Sequence, residues 1–195
     1  MLMANHISNL LTINASEDMV SKVREYIKSS NGEPISFQSF IPEPEGLDGE
    51  VTINVCGQDL SIPEWYAWRC DNWGTKWDAW DSCERSSDCI IFKTANSTPV
   101  LAMRNLSQTF PEVSFHITFA DEYAGQNCGE YTLLGGKVVD EVFIEYEDSD
   151  RAMEYFFLTH EGEREFWKKD ENGSWYDIDA ELDEEDYDEE DYDEE

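Results

Sequence analysis

The distribution of acidic side chains along the chain most constrains what it can fold into. The last 19 residues, 177–195, hold 14 acidic side chains and no basic one, and they repeat the pentapeptide Asp-Glu-Glu-Asp-Tyr. Like charges at this density repel one another, and the segment carries too little apolar surface to form a core. We therefore expect residues 177–195 to be a disordered acidic tail.

The rest of the chain is acidic as well. Residues 1–176 hold 31 acidic and 13 basic side chains, and the whole chain of 195 residues has a formal net charge of −32. A surface of this sign repels phosphates, which disfavours direct binding to nucleic acid and docking on an anionic membrane. The chain shows neither a run of about 18 apolar residues nor a secretory leader, so we expect a protein of the cytoplasm.

The residues before the tail are rich enough in large apolar side chains to form one folded domain. Hydrophobic residues make up 40% of the chain, and seven residues are tryptophan. Apolar alternation predicts a short hairpin arm or insertion around 51–55 and strands at 7–13, 35–41, 89–92, 113–119, 130–134 and 137–146. Helical spacing predicts a helix capped by Ser16 that ends near Lys28, one capped by Thr98 that runs through Leu106, and a short one over 151–158.

This order of elements indicates an α+β fold. A strand, a helix and a strand precede an insertion, and a strand, a helix and two strands follow it. The order fits a ferredoxin-like split βαβ sandwich with its helices on one face of the sheet. We expect three parts: a ferredoxin-like domain over 1–146, a C-terminal extension over 147–176 that packs on the body, and the disordered acidic tail over 177–195.

A tryptophan-rich segment after the insertion contains the most distinctive motif of the chain. Trp73 and Trp77 are four residues apart, so on a helix they would share a face, where Lys76 could form a cation–π pair with an indole. The segment then either forms a binding pocket or has a structural role, in which the rings cover one side of the sheet and Lys76 pairs with Asp71 or Asp78. We name it the tryptophan block; its residues are Asn72, Trp73, Gly74, Thr75, Lys76, Trp77 and Asp78.

Side chains with catalytic or metal-binding chemistry form no recognisable motif. The five cysteines lack C-x-x-C spacing, and the three that could form a metal site have no nearby histidine to complete it. The carboxylates near the tryptophan block lack the spacing of an EF-hand loop, and the histidines are far apart. The residues concerned are Cys70, Cys83, Cys89, Asp71, Asp78, Asp81, His6, His116 and His160. We expect free thiols, no cofactor, no metal and no catalytic residue, with an enzyme built on Asp71 or Asp78 and Lys76 as an alternative.

A string of seven consecutive residues, 72–78, rarely recurs by chance, and it is accompanied in order by Asn5-His6, 40–44, 92–95 and Phe110-Pro111. With these segments, the chain over roughly 4–146 resembles the YubB-type ferredoxin-like family of plasmid and phage (Api-like) proteins. The resemblance implies a ferredoxin-like fold and a mobile-element origin. It implies no iron–sulfur cluster, since the name describes topology, and the family's activity is not settled, so it assigns no catalytic residue.

The high density of carboxylates supports two interpretations. Acidity can serve solubility alone, with the tail as an entropic shield. It can also mimic a nucleic-acid backbone, because a protein that holds DNA or RNA has a basic cleft that attracts such a surface, where Tyr187 and Tyr192 could stack in place of bases. The candidate partner-binding residues are Asp140, Glu141, Glu145, Glu147, Asp148, Asp150, Asp183, Glu184, Glu185, Asp186, Tyr187, Asp188, Glu189, Glu190, Asp191 and Tyr192.

Besides the enzyme, these features lead to one leading hypothesis and a second alternative. The hypothesis is a non-enzymatic accessory protein of a phage or plasmid that binds and occludes a basic, nucleic-acid-handling host protein, such as one of a defence system. Its partner is a protein, and neither nucleic acid nor a membrane is expected to bind directly. The alternative is a ligand- or peptide-binding module that uses the tryptophan block, with acidity serving solubility.

Overall fold

The computed structural model describes residues 4–144 and 149–178. Its helices are α1 (Glu17–Ile27), α2 (Glu64–Asn72), α3 (Val100–Thr109) and α4 (Ser149–Thr159). Its strands are β1 (His6–Asn14), β2 (Glu50–Val55), β3 (Gln58–Pro63), β4 (Trp80–Ser86), β5 (Cys89–Ala95), β6 (Ser114–Asp121), β7 (Gly129–Leu134), β8 (Lys137–Phe143), β9 (Trp167–Lys169) and β10 (Trp175–Asp177). Short 3-10 turns lie at Phe37–Ser39 and Glu163–Phe166. Within these two ranges, no helix is long and apolar enough to cross a membrane.

Six strands form one antiparallel sheet in the order β4-β5-β1-β6-β7-β8. Apart from the insertion between α1 and β4, four of these strands occur in the chain with α1 and α3 as β1-α1-β4-β5-α3-β6. Their spatial order, β6-β1-β5-β4, is that of a ferredoxin-like sandwich. β7 and β8 extend the sheet beyond β6. The predicted ferredoxin-like α+β fold is confirmed.

The face of the sheet that packs against α1 and α3 holds the main hydrophobic core. β1 alternates with period two, and Ile7, Leu11 and Ile13 on this face are at most 1% exposed. Each such side chain stabilises the fold by about 1.5–3 kcal/mol relative to leaving it in water. At the three- and four-residue spacing of a helix face, the helices add Val20, Val23 and Ile27 from α1 and Ala102, Met103 and Leu106 from α3.

The opposite face of the sheet is partly covered by α4 and the β9–β10 hairpin. Met153 and Phe156 of α4 join Ala120 of β6 in a second, smaller apolar cluster, and Trp167 and Trp175 of the hairpin pack against it. The described residues that follow β8 therefore shield part of a sheet face that the ferredoxin-like helices leave open.

The prediction of a second strand over 35–41 is wrong. This segment turns at Phe37–Ser39, where the Phe37 ring is fully buried and the Phe37 N–H donates to Oδ1 of Asp78 at 2.6 Å. The second strand of the ferredoxin-like order is instead β4, which follows the insertion. β4 is mostly polar and lies at an outer edge of the sheet, so its sequence lacks the apolar pattern of the buried strands.

The insertion between α1 and β4 contains a hairpin, β2–β3, whose strands pair only with each other among the described strands. Cys56 and Gly57 form its turn, both with positive φ (52° and 84°), as a two-residue hairpin turn of type I′ requires. The predicted hairpin around 51–55 is confirmed. We name residues 50–63 the arm.

Candidate functional site

The tryptophan block begins where helix α2 ends. The backbone N–H groups of Trp73 and Gly74 both donate to the carbonyl of Arg69, at 2.7 and 3.2 Å, and Gly74 is left-handed with φ of 82°. A glycine in this conformation commonly ends an α-helix because it has no Cβ. The chain leaves the helix before Trp77, so the expectation that Trp73 and Trp77 share a helix face is wrong.

Two members of the block, Trp73 and Thr75, lie in the protein interior. The Trp73 ring is fully buried, packs against the ring of Phe37 and donates its Nε1–H to the carbonyl of Ile41 at 3.0 Å. The Thr75 hydroxyl donates to the Ala95 carbonyl at 2.8 Å and accepts the Ala95 N–H at 3.1 Å. These bonds attach the block to the insertion on one side and to β5 on the other.

The polar ends of the block also bond within the chain. Oδ1 and Oδ2 of Asp78 accept the Phe37 N–H and the Ser36 hydroxyl, each at 2.6 Å. Asn72 donates from Nδ2 to the carbonyl of Trp68 at 2.8 Å. Both side chains therefore stabilise the local backbone.

The more exposed side of the block is an aromatic row that contains one cation. Nζ of Lys76 lies 5.2 Å from the ring centroid of Trp77 and 5.5 Å from that of Tyr66. Trp77 meets Trp80 edge to face at 5.6 Å, and Trp80 meets His6 at 5.4 Å. The cation–π contact expected of Lys76 is present, so a ligand for these rings would compete with the lysine ammonium.

The side chains considered for metal binding or catalysis do not come together. Asp81 forms an ion pair with Lys93 at 2.6 Å, while Asp78 bonds to the turn at Phe37–Ser39. All five cysteines are free. Among the residues that the structure describes, no three His, Cys, Asp or Glu side chains lie where they could share a metal ion.

Three of the residues expected to bind a partner lie within the described ranges: Asp140, Glu141 and Asp150. Asp140 and Glu141 are exposed on β8, the outermost strand, where they stand opposite Thr132 and Tyr131 of β7. The others lie outside the described ranges, namely Glu145, Glu147, Asp148, Asp183, Glu184, Glu185, Asp186, Tyr187, Asp188, Glu189, Glu190, Asp191 and Tyr192.

Asp150 differs from the two β8 carboxylates because it is bonded within the chain. Its Oδ1 accepts Nζ of Lys169 at 2.5 Å and Nε1 of Trp175 at 2.9 Å, and these hydrogen bonds hold the pKa of the carboxyl below its ordinary value. Asp150 thus ties the first turn of α4 to β9 and β10. Its ion pair with Lys169 offsets its negative charge, so Asp150 attracts a basic partner less strongly.

A groove of about 520 Å³ lies between α4 and the β9–β10 hairpin. The Arg164 guanidinium lies over the rings of Phe157 and Trp175, at 4.7 and 4.8 Å from their centroids, and Nζ of Lys169 lies 5.0 Å from that of Trp175. The sequence predicts that the C-terminal extension packs on the body, but no pattern in it indicates the cations that lie over these rings. Because Arg164 and Lys169 already cover these rings, the contacts along the groove chiefly hold the hairpin on the helix.

Strand β1 and helix α4 are joined by a serine–histidine contact that sequence reasoning also missed. Oγ of Ser8 lies 3.0 Å from Nε2 of His160, and Nδ1 of His160 lies 3.1 Å from the Phe156 carbonyl. With its proton assigned to Nδ1, the ring donates to the carbonyl and accepts the serine hydroxyl. Burial lowers the pKa of His160. Ser8 is only 3% exposed, and this contact anchors the C-terminal end of α4 to the sheet.

Comparison with protein families matches residues 72–170 to the ferredoxin-like domain in Api92-like proteins. The matched range begins with the tryptophan block, continues through β4 to β8 and α4, and ends just after β9, so it covers about half of the chain. No curated protein and no solved structure matches the chain. By this match, and by the ferredoxin-like order of its strands and helices, the chain belongs to the family of Api92-like proteins with a ferredoxin-like domain.

Proposed function

We propose that this protein is a non-enzymatic accessory protein, of the YubB type carried by phages and plasmids, that binds and occludes a basic, nucleic-acid-handling protein of the bacterial host. The negative charge of its surface is the observation that carries this proposal. The described residues hold 29 acidic and 13 basic side chains. Six of the basic ones already form ion pairs with carboxylates. Their charge is largely neutralised, so the surface attracts cations and repels phosphates.

The outermost strand supports the proposal with charge and apolar surface side by side. Asp140 and Glu141 are exposed neighbours on β8, and successive strand residues point to opposite faces, so their charge extends to both sides of this sheet edge. Val139 and Phe143 next to them are 56% and 58% exposed. Charges on an edge strand prevent pairing with other sheets, and the exposed apolar side chains on either side of them favour a protein partner.

The alternative of a ligand- or peptide-binding module on the tryptophan block has less support. Trp73 is fully buried, and Asp78 and Thr75 bond to the backbone around it. A pocket there would have to use the half-buried Trp77 and Tyr66, over which Lys76 lies.

Affinity capture from a nuclease-treated bacterial lysate tests the proposed function. The experiment compares the full chain with a truncation after Ile178, at low and at high salt. The truncation keeps every described residue. Capture of one defined basic protein by the full chain, with displacement by added duplex DNA, is the expected result. A salt-labile mixture of basic proteins, held equally by both chains, would show that acidity serves solubility.

A further inference from the structure

The arm places its aliphatic side chains on one face. Residues directly opposite each other in an antiparallel pair share a face, so Val51 with Ile62 and Ile53 with Leu60 form two apolar pairs, and Val55 extends them toward the turn. The other face is polar and consists of Glu50, Thr52, Asn54, Asp59 and Ser61, with Pro63 at its base.

The apolar face of the arm is open to solvent, and its exposure increases toward the turn. Val51, Ile53 and Ile62 are half-buried, whereas Val55 and Leu60 are 48% and 52% exposed. Beyond their own pairing, β2 and β3 lie chiefly against α2. A two-stranded hairpin is marginally stable by itself in water, so an apolar face held in solvent has a cost that a partner would remove.

Hydrogen bonds hold the arm in a defined conformation. At its base, the Glu64 N–H donates to the Gly49 carbonyl at 3.0 Å. On its polar face, the Ser61 hydroxyl donates to Oε2 of Glu50 at 2.7 Å, and Nδ2 of Asn54 donates to Oδ1 of Asp59 at 2.7 Å. Because the arm is preformed, little ordering entropy opposes its docking.

The charge around the arm identifies the chemistry of its partner. No basic residue lies between Lys28 and Arg69. A second copy of this chain would bring two acidic arms together, which like-charge repulsion opposes. A surface with an apolar strip bordered by lysine and arginine matches both the apolar face and its rim. The acidic residues on and around the arm are Glu43, Glu45, Asp48, Glu50, Asp59 and Glu64.

A groove at the base of the arm has room for one such cation. It has a volume of about 440 Å³, and its lining includes Glu43, Glu45, Asp48, Trp65 and Arg69. Arg69 pairs with Glu43 and lies over the Trp65 ring at 4.9 Å. Glu45 and Asp48 take no part in that ion pair, so they remain to receive a lysine or arginine from outside.

We propose that the arm and the groove at its base form the docking surface for a basic protein. The aliphatic face, with Val55 and Leu60 at its most exposed part, buries against an apolar strip of the partner, while Glu45 and Asp48 bind a cation at its border. The proposal rests on the proposed function for the sign of the partner's charge. It adds a packed interface, which distinguishes a lasting complex from an electrostatic encounter.

Site-specific photo-crosslinking in bacterial cells that express the full chain tests this docking surface. The photoreactive residue p-benzoylphenylalanine is placed at Leu60 on the apolar face or, as a matched control, at the exposed Thr52 on the polar face of the same arm. We expect position 60 to give a crosslink to one basic protein, identified by mass spectrometry, and position 52 to give about tenfold less of it. No crosslink from position 60, equal crosslinking from both positions, or a crosslink to a second copy of the chain would overturn the proposal.

The crosslinked protein is then purified, and its affinity for the full chain is measured. Leu60→Ser leaves the charge unchanged and is expected to weaken binding about tenfold at both low and high salt, because apolar contacts are not screened. Circular dichroism verifies that the variant is folded. If duplex DNA does not displace a partner that needs Leu60, the proposed function fails and the docking surface stands. If DNA displaces the partner but Leu60→Ser binds as well as wild type, the docking surface is wrong and the proposed function stands.

Discussion

Trp73 is the residue through which the tryptophan block joins the core. Its ring is fully buried and hydrogen-bonded to the Ile41 carbonyl. We predict that Trp73→Ala lowers the free energy of unfolding by about 3–5 kcal/mol, through lost burial and the cavity that remains. Trp77→Ala, at a half-buried position, is the matched control and should cost much less. Urea unfolding followed by circular dichroism measures both. A Trp73→Ala midpoint equal to that of Trp77→Ala would instead favour a pocket role for the block.

Gly74 combines a left-handed backbone with a close contact. Its φ is 82°, and a Cβ at this position would lie 3.3 Å from the Leu101 backbone nitrogen. Gly173 has a φ of 85°, and a Cβ there would have no atom within 4 Å, so it serves as a control for the conformation alone. We predict that Gly173→Ala costs about 1 kcal/mol and that Gly74→Ala costs clearly more. Thermal unfolding of the two variants measures the difference, and equal losses would show that Leu101 gives way.

His160 makes stability depend on pH. Desolvation by burial is the main reason that its pKa is lowered, and the hydrogen bond to the Phe156 carbonyl opposes only part of the shift. The unfolded chain therefore binds more protons between the folded pKa and about pH 6.5. The stability that neutral His160 contributes is fully present above that pH window and is lost as the pH falls through it. We predict that the stability difference between wild type and His160→Gln shrinks from about pH 7.5 to about pH 5.5. Urea midpoints measure it, and a difference that grows toward acid would contradict this role of His160.

At the scale of elements, the sequence identifies those whose apolar side chains follow a simple period. β1 and β6 alternate, α1 and α3 present one apolar stripe each, and all four could be predicted. β4 could not, because an edge strand needs little apolar surface. Nor could the turn at Phe37–Ser39, where the Phe37 N–H donates to the carboxylate of Asp78, about forty residues later in the chain.

The candidate sites were predictable to a smaller extent. The sequence located the tryptophan block and the acidic strand β8, but it did not decide which side chains are buried. Trp73 and Trp77 have the same chemistry, and only the left-handed turn at Gly74 separates them into interior and surface. The contact of Ser8 with His160 links residues far apart in the chain, so no local pattern indicates it.

Strand β8 should contribute charge at a specific place. We predict that the double variant Asp140→Asn, Glu141→Gln weakens capture of the basic partner at low salt and has little effect at high salt, because exposed charges are screened over about 8 Å at physiological ionic strength. Glu112→Gln with Glu171→Gln changes the net charge equally at exposed positions elsewhere and is the control. Binding isotherms at both salt concentrations measure the effect. Equal loss in the two double variants would mean that only net charge matters.

At the scale of the whole molecule, the excess of negative charge opposes folding. A net charge of −32 in 195 residues favours expanded states through self-repulsion, and residues 179–195 supply a large part of it. We predict that truncation after Ile178 raises the midpoint of thermal unfolding at low salt by a few degrees and reduces the stabilisation that added salt provides. Calorimetry of both chains from low to high salt measures this. An unchanged midpoint after truncation would contradict the claim that the charge of the tail opposes folding, and a lower midpoint would show that the tail supports the fold.

Competition between this protein and DNA for one basic partner tests the central claim most directly. The partner captured from the lysate is purified and bound to a fluorescently labelled DNA duplex, and the full chain is titrated in while fluorescence anisotropy is followed. We predict that the duplex is released in full, at a stoichiometry set by the partner's DNA site, and that release weakens as salt increases. A ternary complex, in which the duplex stays bound while the chain also binds, would contradict the claim.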